Sequence, residues 1–327
     1  MFNFADTPPG IGGADIPSWY FADKFKKPSL LYYNVECLKG TTTDYYNWNH
    51  RLLPMIMVFA GRVDLNSVTP PTQKVWAGEG ETPVVLVHTD WTWSDTDKYL
   101  GIKGGKARSS HAHMDAGSFV YDAYGVRWSM DIGRQDYATL EVALKALGGN
   151  LWTYTQASLR WEVSRLNNFF HSTLTVNDSK HRVEGFATLE QTINTATEQG
   201  ATFDLSPVLE DQVASAKRTV KIVDDKDLKV IDAIHTRTDR SAKIRWTMAT
   251  PAVPTVENDR IVLTSNGKTM YLTAAEEGGT QIVYKTFSTD PVHSYDAPNP
   301  GIYLVGFEAT VPADKWAPFT TTLSPGK

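Results

Sequence analysis

The sequence predicts a mainly β protein, in which a large antiparallel two-sheet β-sandwich follows a few α-helices. From residue 82 onward, short runs rich in β-branched and aromatic residues alternate with Gly, Asn, Asp and Pro, the pattern of strands joined by turns. Only one later segment has helical spacing of its apolar residues. The strands therefore follow one another without crossover helices, which favours antiparallel pairing in large sheets.

The first seventy residues contain three segments with a helical pattern. IPSWYFADKFKK has Pro17 in its first turn, and SLLYYNVECLKG has Ser29 placed to cap its start and Gly40 to end it. YYNWNHRLLPMIMVFAG predicts a third short helix, broken near Pro54. Two or three short helices are too few to form a hydrophobic core of their own. We therefore expect them to pack on the following domain or to end a larger helical array.

The TPPT segment at 69–72 predicts a domain boundary, with helices in 1–70 and the β domain in 71–327. Eleven strands are predicted beyond it, in TPVVLVHTDW, GSFVYDAYG, VRWSMDIG, STLTVND, TVKIVDD, LKVIDAIHT, KIRWTMAT, RIVLTS, TMYLTAA, TQIVYKTF and GIYLVGFEA. One helix, TLEVALKALGG, interrupts them and ends at two glycines. Its apolar face is formed by Leu140, Ala143, Leu144 and Leu147.

Composition excludes some classes of partner. The 327 residues are 41% hydrophobic, enough to bury a substantial core. A net charge of −5 and a pI near 5.9 give no electrostatic footprint for nucleic acid or an anionic membrane, so neither is expected as a partner. The single Cys37 excludes an internal disulfide framework and leaves the cellular compartment open.

The sequence contains neither a membrane-spanning apolar stretch nor a secretory signal. No apolar run approaches the length that crosses a bilayer, and the N-terminus lacks the basic and apolar regions of a signal peptide. We therefore expect no membrane insertion. Either a signal peptide has been removed, or the chain is a piece of a longer protein.

The segment SSHAHMDAGS, at 109–118, carries the strongest candidate site residues. In an extended segment His111 and His113 project the same way, roughly 7 Å apart, and can serve one site. The alternative is that each is a partly buried polar residue with a hydrogen bond, the commoner state of a strand histidine. Asp115, followed by Ala116 and Gly117, is expected to be a turn residue that bonds its own backbone.

Two further residues are predicted to join these histidines. GSFVYDAYGVRWSMDIG has the pattern of a hairpin that turns near Tyr124 and Gly125, which returns Asp131 toward the start of its first strand. NNFFHSTLTVND places His171 on a third strand. Imidazoles and a carboxylate on adjoining strands suit Zn²⁺, which binds nitrogen and oxygen ligands in tetrahedral geometry.

The run SSHAHMDAGSFVYDAYGVRWSMDIG, followed by WEVSRLNNFFHSTLTVND, resembles the heparinase II/III-like polysaccharide lyases. The hallmark of that family is a His-x-His-x-Asp-x-Gly-Ser-Phe run, then Asp-x-Gly, then Asn-x-x-x-His-x-Thr-Leu. The resemblance implies an N-terminal (α/α) toroid packed on a two-sheet β domain, with substrate in the cleft between them. The helices in 1–70 would then be the last part of that toroid.

The resemblance implies roles for particular residues. His113, Asp131 and His171 match the zinc ligands of the family, where the zinc is chiefly structural. With three protein ligands a water could complete the tetrahedron, so spacing alone leaves a catalytic zinc open. His111 matches the histidine that faces the substrate, and Tyr154 matches a tyrosine at the cleft.

Tyr137 is a competing candidate for that tyrosine. The alternative for either residue is an amphipathic side chain at the surface of the sheet, without a catalytic role.

The implied chemistry is β-elimination on uronic-acid-containing glycans such as heparan sulfate or alginate. Such a reaction needs neutralisation of the C5 carboxylate, a base for the C5 proton and an acid for the leaving O4 oxygen. The resemblance places the main catalytic tyrosine and the neutralising group upstream, so inactivity of this chain alone remains an open alternative.

Basic residues near the motif are candidates for binding an acidic glycan. GIKGGKARSSH supplies Lys103, Lys106 and Arg108, for which a solvated loop is the alternative. Arg160, together with Arg165 and Asn168, flanks the third predicted strand, where structural hydrogen bonding is the alternative.

Two other functions remain open at this stage. One is a zinc-dependent hydrolase on the same ligands, which would need a metal-bound water and a carboxylate base. The other is a non-catalytic carbohydrate-binding or structural domain, in which sugar rings would stack on Trp91, Trp93, Trp152 and Trp161. The resemblance further implies a periplasmic or secreted protein. The sequence leaves the glycan, its sulfation, the endo or exo mode and the oligomeric state undetermined.

Overall fold

The computed structural model describes residues 2–7, 15–39, 53–92 and 94–326. These residues divide into two compact units. The first contains residues 15–39, 53–74 and 91–92, and the second contains residues 2–7, 75–90 and 94–326. Residues 2–7, which contain a turn at Ala5 and Asp6, thus belong to the second unit although they precede the helices in sequence. No helix in the described ranges is both long and apolar enough to cross a membrane.

The first unit is helical, with α1 at Ile16–Phe25, α2 at Tyr32–Lys39 and α3 at Leu53–Ala60. Its small core is formed by Ile16, Trp19, Ala22, Leu31 and Ile56. Helices are therefore present in all three segments that the apolar spacing indicated.

Two details of these helices differ from the prediction. A 3₁₀ turn at Pro28–Leu31 precedes α2, so Ser29 lies inside that turn and does not cap the helix. Pro54 lies in the first turn of α3, where its missing N–H removes no helical hydrogen bond, and so it does not break the helix. Gly40 and the first part of the third predicted segment lie outside the described residues.

The second unit is built from seventeen strands and one long helix within its described residues. The helix, α4, spans Tyr137–Ala146. The strands are β1 Val75–Gly78, β2 Val84–His88, β3 Tyr99–Lys103, β4 Phe119–Ala123, β5 Val126–Ser129, β6 Leu174–Val176, β7 Thr188–Asn194, β8 Glu198–Asp204, β9 Ser215–Val223, β10 Asp227–His235, β11 Ala242–Thr250, β12 Val253–Val256, β13 Ile261–Ser265, β14 Lys268–Glu276, β15 Val283–Phe287, β16 Tyr303–Val311 and β17 Trp316–Pro325.

All strand pairs among these seventeen are antiparallel, which confirms the predicted fold class. The largest sheet has eight strands in the order β12-β13-β14-β17-β10-β9-β8-β7. A five-stranded sheet runs β1-β2-β3-β4-β5, and a four-stranded sheet runs β15-β16-β11-β6. A single bridge between Met130 and Ala249 connects the five-stranded and four-stranded sheets. The second unit is therefore a sandwich of large antiparallel sheets.

Neighbouring aromatic rings join the sheets through the core. Trp246 of β11 lies parallel to Phe307 of β16, with ring centroids 5.9 Å apart. Phe307 is 5.8 Å from Phe319 of β17, and Trp246 is 6.2 Å from Phe119 of β4. All four side chains are buried, and burial of a large apolar side chain contributes about 1.5–3 kcal/mol. One continuous core thus supports all three sheets.

A buried arginine connects the eight-stranded sheet to the loops that precede β4 and β6. Arg218 of β9 donates two hydrogen bonds to Asp232 of β10, at 2.7 and 2.9 Å. Its third nitrogen donates to the carbonyl oxygens of Gly117 and Ser172, at 3.0 and 3.2 Å. Both members of the ion pair are fully buried, so the sheet holds these two loops at a fixed distance from each other.

Helix α4 and the β4–β5 hairpin agree with the prediction in detail. The helix buries Leu140 and Leu144, and the Gly149 N–H closes it by donating to the Leu144 carbonyl at 2.7 Å. The hairpin turns at Tyr124 and Gly125, both at positive φ, as a tight two-residue turn requires. Leu147 differs, since it caps the helix and is exposed.

Candidate functional site

The segment with His111 and His113 is a series of turns, and the prediction of an extended strand there was wrong. The Ala112 N–H donates to the Ser109 carbonyl at 3.1 Å, and His111 has a φ of 63°. This left-handed conformation is costly for a residue with a Cβ, and histidine adopts it more readily than most residues do. The argument from alternating strand faces therefore does not explain how the two histidines meet.

Asp6 joins the two histidines. Its Oδ2 lies 2.6 Å from His111 Nδ1, and its Oδ1 lies 3.1 Å from His113 Nε2. Oδ1 also accepts a hydrogen bond from the Tyr137 hydroxyl at 2.5 Å. Burial would raise the pKa of Asp6, but the hydrogen bonds from His113 and Tyr137 lower it to about 2. The side chain is therefore an ionised carboxylate at neutral pH.

Asp131 and His171 form a second pair. Asp131 follows β5, where its Oδ1 accepts from the Gly133 N–H at 2.7 Å and its Oδ2 lies 2.9 Å from His171 Nδ1. His171 follows a 3₁₀ turn and precedes β6, so its placement on a strand was wrong. Its Nε2 donates to the Arg165 carbonyl at 3.1 Å. The hairpin delivers Asp131 to the histidines as predicted.

The three predicted zinc ligands lie close together and are buried. The rings of His113 and His171 are 5.5 Å apart, and at most 3% of the surface of His113, Asp131 or His171 is exposed. Burial lowers the pKa of His113, which favours the neutral imidazole that binds metals. Burial would also lower the pKa of His171, but the charge of Asp131 raises it.

Two observations bear on whether these residues fit a zinc ion. In the described ranges, no group of three or more His, Cys, Asp or Glu side chains is arranged closely enough to hold a metal. Conversely, His113 Nδ1 is buried and has no hydrogen-bond partner among the described residues, a costly state for a polar atom. Two imidazoles and a carboxylate are a donor set that suits zinc. The residues fit the ion chemically, and the zinc site stays a prediction.

His111 lies at the outer side of this cluster, with 55% of its side chain exposed. The Tyr137 ring lies nearly parallel to it at 5.8 Å, and the Trp152 ring meets it edge-on at 5.5 Å. The Tyr154 hydroxyl accepts a hydrogen bond from the His111 N–H at 3.3 Å. Both candidate tyrosines therefore lie beside this histidine.

Burial, followed by the hydrogen bond to Asp6, raises the pKa of the Tyr137 hydroxyl. Tyr137 is therefore protonated at neutral pH, and its proton is held by the carboxylate. Tyr154 donates no comparable bond to an acidic side chain among the described contacts. Of the two tyrosines, only Tyr137 donates its hydroxyl proton to a carboxylate among the described residues, so the Tyr154 hydroxyl is the better placed to donate to a substrate.

An open depression of about 390 Å³ lies next to Tyr154 and contains two predicted features of a glycan site. It is lined by Arg108, Ser109, Ser110, Tyr154, Thr155 and Glu184. Arg108 is largely exposed and forms an ion pair with Glu184. Lys106 is less exposed, and its ammonium lies 3.4 Å from Glu81. Both cations thus have carboxylate partners that an acidic ligand would have to displace.

Lys103 and Arg160 are placed differently from the prediction. Lys103 is 2% exposed and forms a buried ion pair with Asp115, so it is not a cation of the cleft. Asp115 is correspondingly more than a turn residue, since its other oxygen accepts the Ala5 N–H at 3.2 Å. Arg160 is fully buried, and it donates to the carbonyls of Leu151 and Ala112 at 3.2 and 2.9 Å.

The structure therefore corrects Arg160 from a substrate-binding residue to a structural one. Its guanidinium also lies 4.8 Å from the centre of the Tyr154 ring, so it supports that tyrosine from behind. Arg165 and Asn168 are structural as well. Arg165 donates to Asn299 at 3.0 Å, and the buried Asn168 donates to Thr175 at 2.8 Å.

The four tryptophans considered for sugar stacking differ in their exposure and location. Trp161 is fully buried and cannot offer a face to a ligand. Trp152 is 42% exposed beside His111. Trp91 belongs to the helical unit, where its ring nitrogen donates to the Gln73 carbonyl at 2.9 Å. Trp93 lies outside the described residues.

Comparison with known proteins identifies the β unit. The family model described as heparinase II/III-like, C-terminal, matches residues 81–310. No curated protein matches the chain by sequence. Among solved structures, heparan sulfate lyase HepC from Pedobacter heparinus has a TM-score of 0.62 at 14% identity, covering 99% of this chain and 45% of that one.

Two further solved structures share the fold. A heparinase III with methylated lysines has a TM-score of 0.61 at 13% identity, covering 100% of this chain and 44% of its own. Another heparinase III has a TM-score of 0.56 at 13% identity, covering 83% and 40%. The chain thus spans less than half the length of these proteins.

Proposed function

Because this chain belongs to the heparinase II/III-like family through its C-terminal domain, we propose that it is part of a polysaccharide lyase. The proposed substrate is a uronic-acid-containing glycan of the heparan sulfate type, the class named for the similar structure of HepC. The proposed reaction is β-elimination, and the proposed location is the periplasm or the exterior of the cell. Alginate is a second uronate polymer to be tested.

The reaction removes the C5 proton and breaks the bond between C4 and the glycosidic oxygen. The electron pair of the C5–H bond becomes the C4–C5 double bond, and the leaving oxygen takes up a proton. General acid–base groups of this kind contribute about 10²–10⁴-fold each. The site must therefore bind the uronate ring through its carboxylate, with a base near the C5 proton and an acid near the leaving oxygen.

We assign the proton transfers to His111 and Tyr154. The His111 ring is half exposed and lies between Tyr137 and Trp152, so it can take the C5 proton of a sugar bound in front of it. The Tyr154 hydroxyl lies next to the His111 backbone and can protonate the leaving oxygen. The observation that carries the proposal is this exposed, aromatic-framed histidine beside a depression that contains Arg108.

Arg108 and Lys106 are proposed to bind carboxylate or sulfate groups of the glycan. Guanidinium groups bind such anions through two parallel hydrogen bonds. Glu184 forms an ion pair with Arg108, and Glu81 forms one with Lys106. An incoming anion would therefore exchange one ion pair for another, which favours binding that weakens as salt increases.

The zinc ion is proposed to be held by His113, Asp131 and His171. When bound, it would neutralise the buried Asp131 carboxylate and fix the loops that carry the two histidines. The unpartnered Nδ1 of His113 and the Asp131–His171 pair support this role. The metal is structural in this proposal, and proton transfer belongs to His111 and Tyr154.

The test uses the full-length protein that contains this chain, incubated with heparan sulfate, heparin and alginate. Release of an unsaturated uronate, which absorbs in the near ultraviolet, is the expected result. His111→Ala should reduce turnover about 10²–10⁴-fold. The matched control His235→Ala removes a partly exposed histidine at the end of β10 and should leave turnover unchanged.

Two results would contradict the proposal. Glycan binding without any unsaturated product, in a full-length protein with bound zinc, would indicate a carbohydrate-binding domain. Products that lack the double bond, with turnover lost on chelation while the fold persists, would indicate a zinc hydrolase.

A further inference from the structure

Asp6 connects two histidines that have different proposed roles. His113 is a proposed zinc ligand and His111 is the proposed proton acceptor, and each has one ring nitrogen on an oxygen of the same carboxylate. Nothing in the pattern of the motif anticipates this residue, which precedes His111 by 105 positions. The contacts therefore raise the question of what the carboxylate does to each ring.

The direction of each hydrogen bond follows from the chemistry of the groups. An ionised carboxylate only accepts hydrogen bonds, whereas a neutral imidazole carries a proton on one nitrogen and a lone pair on the other. The nitrogens that face Asp6 are Nδ1 of His111 and Nε2 of His113. Each of these nitrogens must therefore carry a proton, and in the neutral form of each ring the lone pair lies on the opposite nitrogen.

We infer that Asp6 is a positioning residue that fixes opposite tautomers of the two histidines. Nε2 of His113 is protonated, which leaves Nδ1 as the nitrogen for the metal. Nδ1 of His111 is protonated, which leaves Nε2 as the nitrogen that accepts the substrate proton. The assignment of tautomers rests on the contacts alone, and the use made of each free nitrogen rests on the proposed function.

The state of the free nitrogens agrees with this assignment. His113 Nδ1 is buried without a hydrogen-bond partner in the described ranges, as expected of an atom reserved for a ligand. For His111, the contacts described involve Nδ1 and the backbone N–H, while Nε2 has none. The half-exposed ring can therefore offer Nε2 to a substrate.

His171 resembles His113 at Nε2, which donates to an acceptor in both rings, but the two rings differ at Nδ1. Its Nε2 donates to the Arg165 carbonyl, and its Nδ1 lies beside Asp131. Metal-binding histidines almost always donate their second N–H to a carboxylate or a backbone carbonyl, which orients the ring. Asp6 would do for His113 what the Arg165 carbonyl does for His171.

The experiment measures tautomers directly, by ¹⁵N NMR of the described chain labelled on histidine and freed of metal. Signals are assigned with His111→Gln and His113→Gln. Asp6→Asn is the test variant, because it keeps the shape of the side chain while adding a donor. Asp97→Asn is the matched control, since Asp97 forms an equivalent pair with His88 Nδ1 at 2.8 Å, in the turn that follows β2.

In the unmodified chain, we expect His113 to be protonated at Nε2 and His111 at Nδ1. Asp6→Asn should change the tautomer of at least one of them and weaken zinc binding, measured by calorimetry, about 10–100-fold. Asp97→Asn should change neither the two spectra nor the affinity. Tyr137→Phe, which retains the carboxylate but removes another of its donors, should leave both tautomers in place.

The inference is overturned if either histidine has the opposite tautomer in the unmodified chain. It is also overturned if Asp6→Asn leaves both tautomers unchanged. A failure of the proposed function looks different. The tautomers would then be as assigned and sensitive to Asp6→Asn, while the full-length protein would release no unsaturated product.

Discussion

The inner and outer parts of the candidate site contrast in burial and in partners. The inner part, formed by His113, Asp131 and His171, is at most 3% exposed and is enclosed by hydrogen bonds to backbone groups. The outer part, formed by His111 and Arg108, has side chains that are more than half exposed. Arg108, His111 and His113 lie on the same loop, so the two parts adjoin there, and Asp6 is bonded to both histidines.

This contrast separates stability from turnover. A change in the inner part leaves a buried polar group without a partner, which destabilises the folded state. A change in the outer part removes a side chain that is already largely in contact with solvent. Surface substitutions of this kind alter the free energy of unfolding by only about 0.5 kcal/mol. We therefore expect inner variants to lose folding free energy and outer variants to lose activity.

The largest effect on stability is expected from Asp131→Ala. The change leaves the buried His171 without its carboxylate, and removal of one partner of a buried pair costs about 3–5 kcal/mol. Zinc content should fall in parallel, because metal binding is coupled to folding. Denaturant unfolding and metal analysis provide the measurements.

Chelation supplies the control for this variant. If the proposed zinc contributes through Asp131, removal of metal should lower the melting temperature of the unmodified chain more than that of Asp131→Ala. An unmodified chain that keeps the same melting temperature after metal removal would contradict the structural role of the ion.

A smaller effect is expected from acid, through a histidine behind the inner part. Burial lowers the pKa of His181 to about 4, and its Nε2 donates to the Leu174 carbonyl at 2.7 Å. Between pH 6.5 and about 4 the unfolded chain binds a proton at this histidine and the folded chain does not. The contribution of His181 to stability is therefore complete above pH 6.5 and is lost as the pH falls toward 4.

The loss amounts to about 3 kcal/mol when the pH has fallen to 4, from 1.36 kcal/mol per pKa unit. His181→Gln, which has no titrating group, should show a shallower decrease in unfolding free energy between pH 6.5 and 4.5 than the unmodified chain. Equal slopes for the two proteins would show that His181 takes up its proton over the same pH range in the folded and the unfolded chain.

An effect of about 1 kcal/mol is expected at His111, whose φ of 63° is costly for any residue with a Cβ. His111→Gly should therefore be more stable than His111→Ala by about this amount, because glycine adopts the conformation freely. Thermal unfolding of the two variants measures the difference. Equal melting temperatures would indicate that the loop relaxes when the imidazole is removed.

The smallest effect on stability is expected from Arg108→Ala. Its ion pair with Glu184 is exposed, and such pairs contribute about 0–1 kcal/mol. In the full-length protein the same change should raise KM about tenfold while kcat changes little, if the guanidinium binds the glycan in both the ground state and the transition state. An unchanged KM would indicate that the anionic group of the glycan binds to residues other than Arg108.

The sequence predicted the fold class and eleven strands because their patterns are local. Strands such as β10 alternate buried and partly buried residues with the period of two that a half-buried strand shows. Six strands were missed, namely β1, β3, β7, β8, β12 and β17. β7 is an edge strand whose side chains are mostly exposed, and β17 contains Pro318 and three consecutive threonines. Such strands form because their neighbours pair with them, which local pattern does not reveal.

The candidate site was predicted only in part for a similar reason. His113, Asp131 and His171 meet as the hairpin and the motif indicated, although none of the three lies within a strand. Asp6 escaped prediction because it lies over a hundred positions away and no spacing rule connects it to the motif. The burial of Lys103 and Arg160 was also missed, because charged side chains are normally exposed unless they are paired. Their partners are Asp115 and the carbonyls of Leu151 and Ala112, which no local pattern indicates.

The link made by Arg218 has a consequence for the order in which the protein is made. The loops that carry Gly117 and Ser172 are tied together by a guanidinium whose own counter-ion, Asp232, is synthesised much later. On the ribosome, a nascent chain that ends before position 232 has the histidines of the site but lacks the clamp that holds their loops. Assembly of the site must therefore wait until the second strand of the β9–β10 hairpin has emerged.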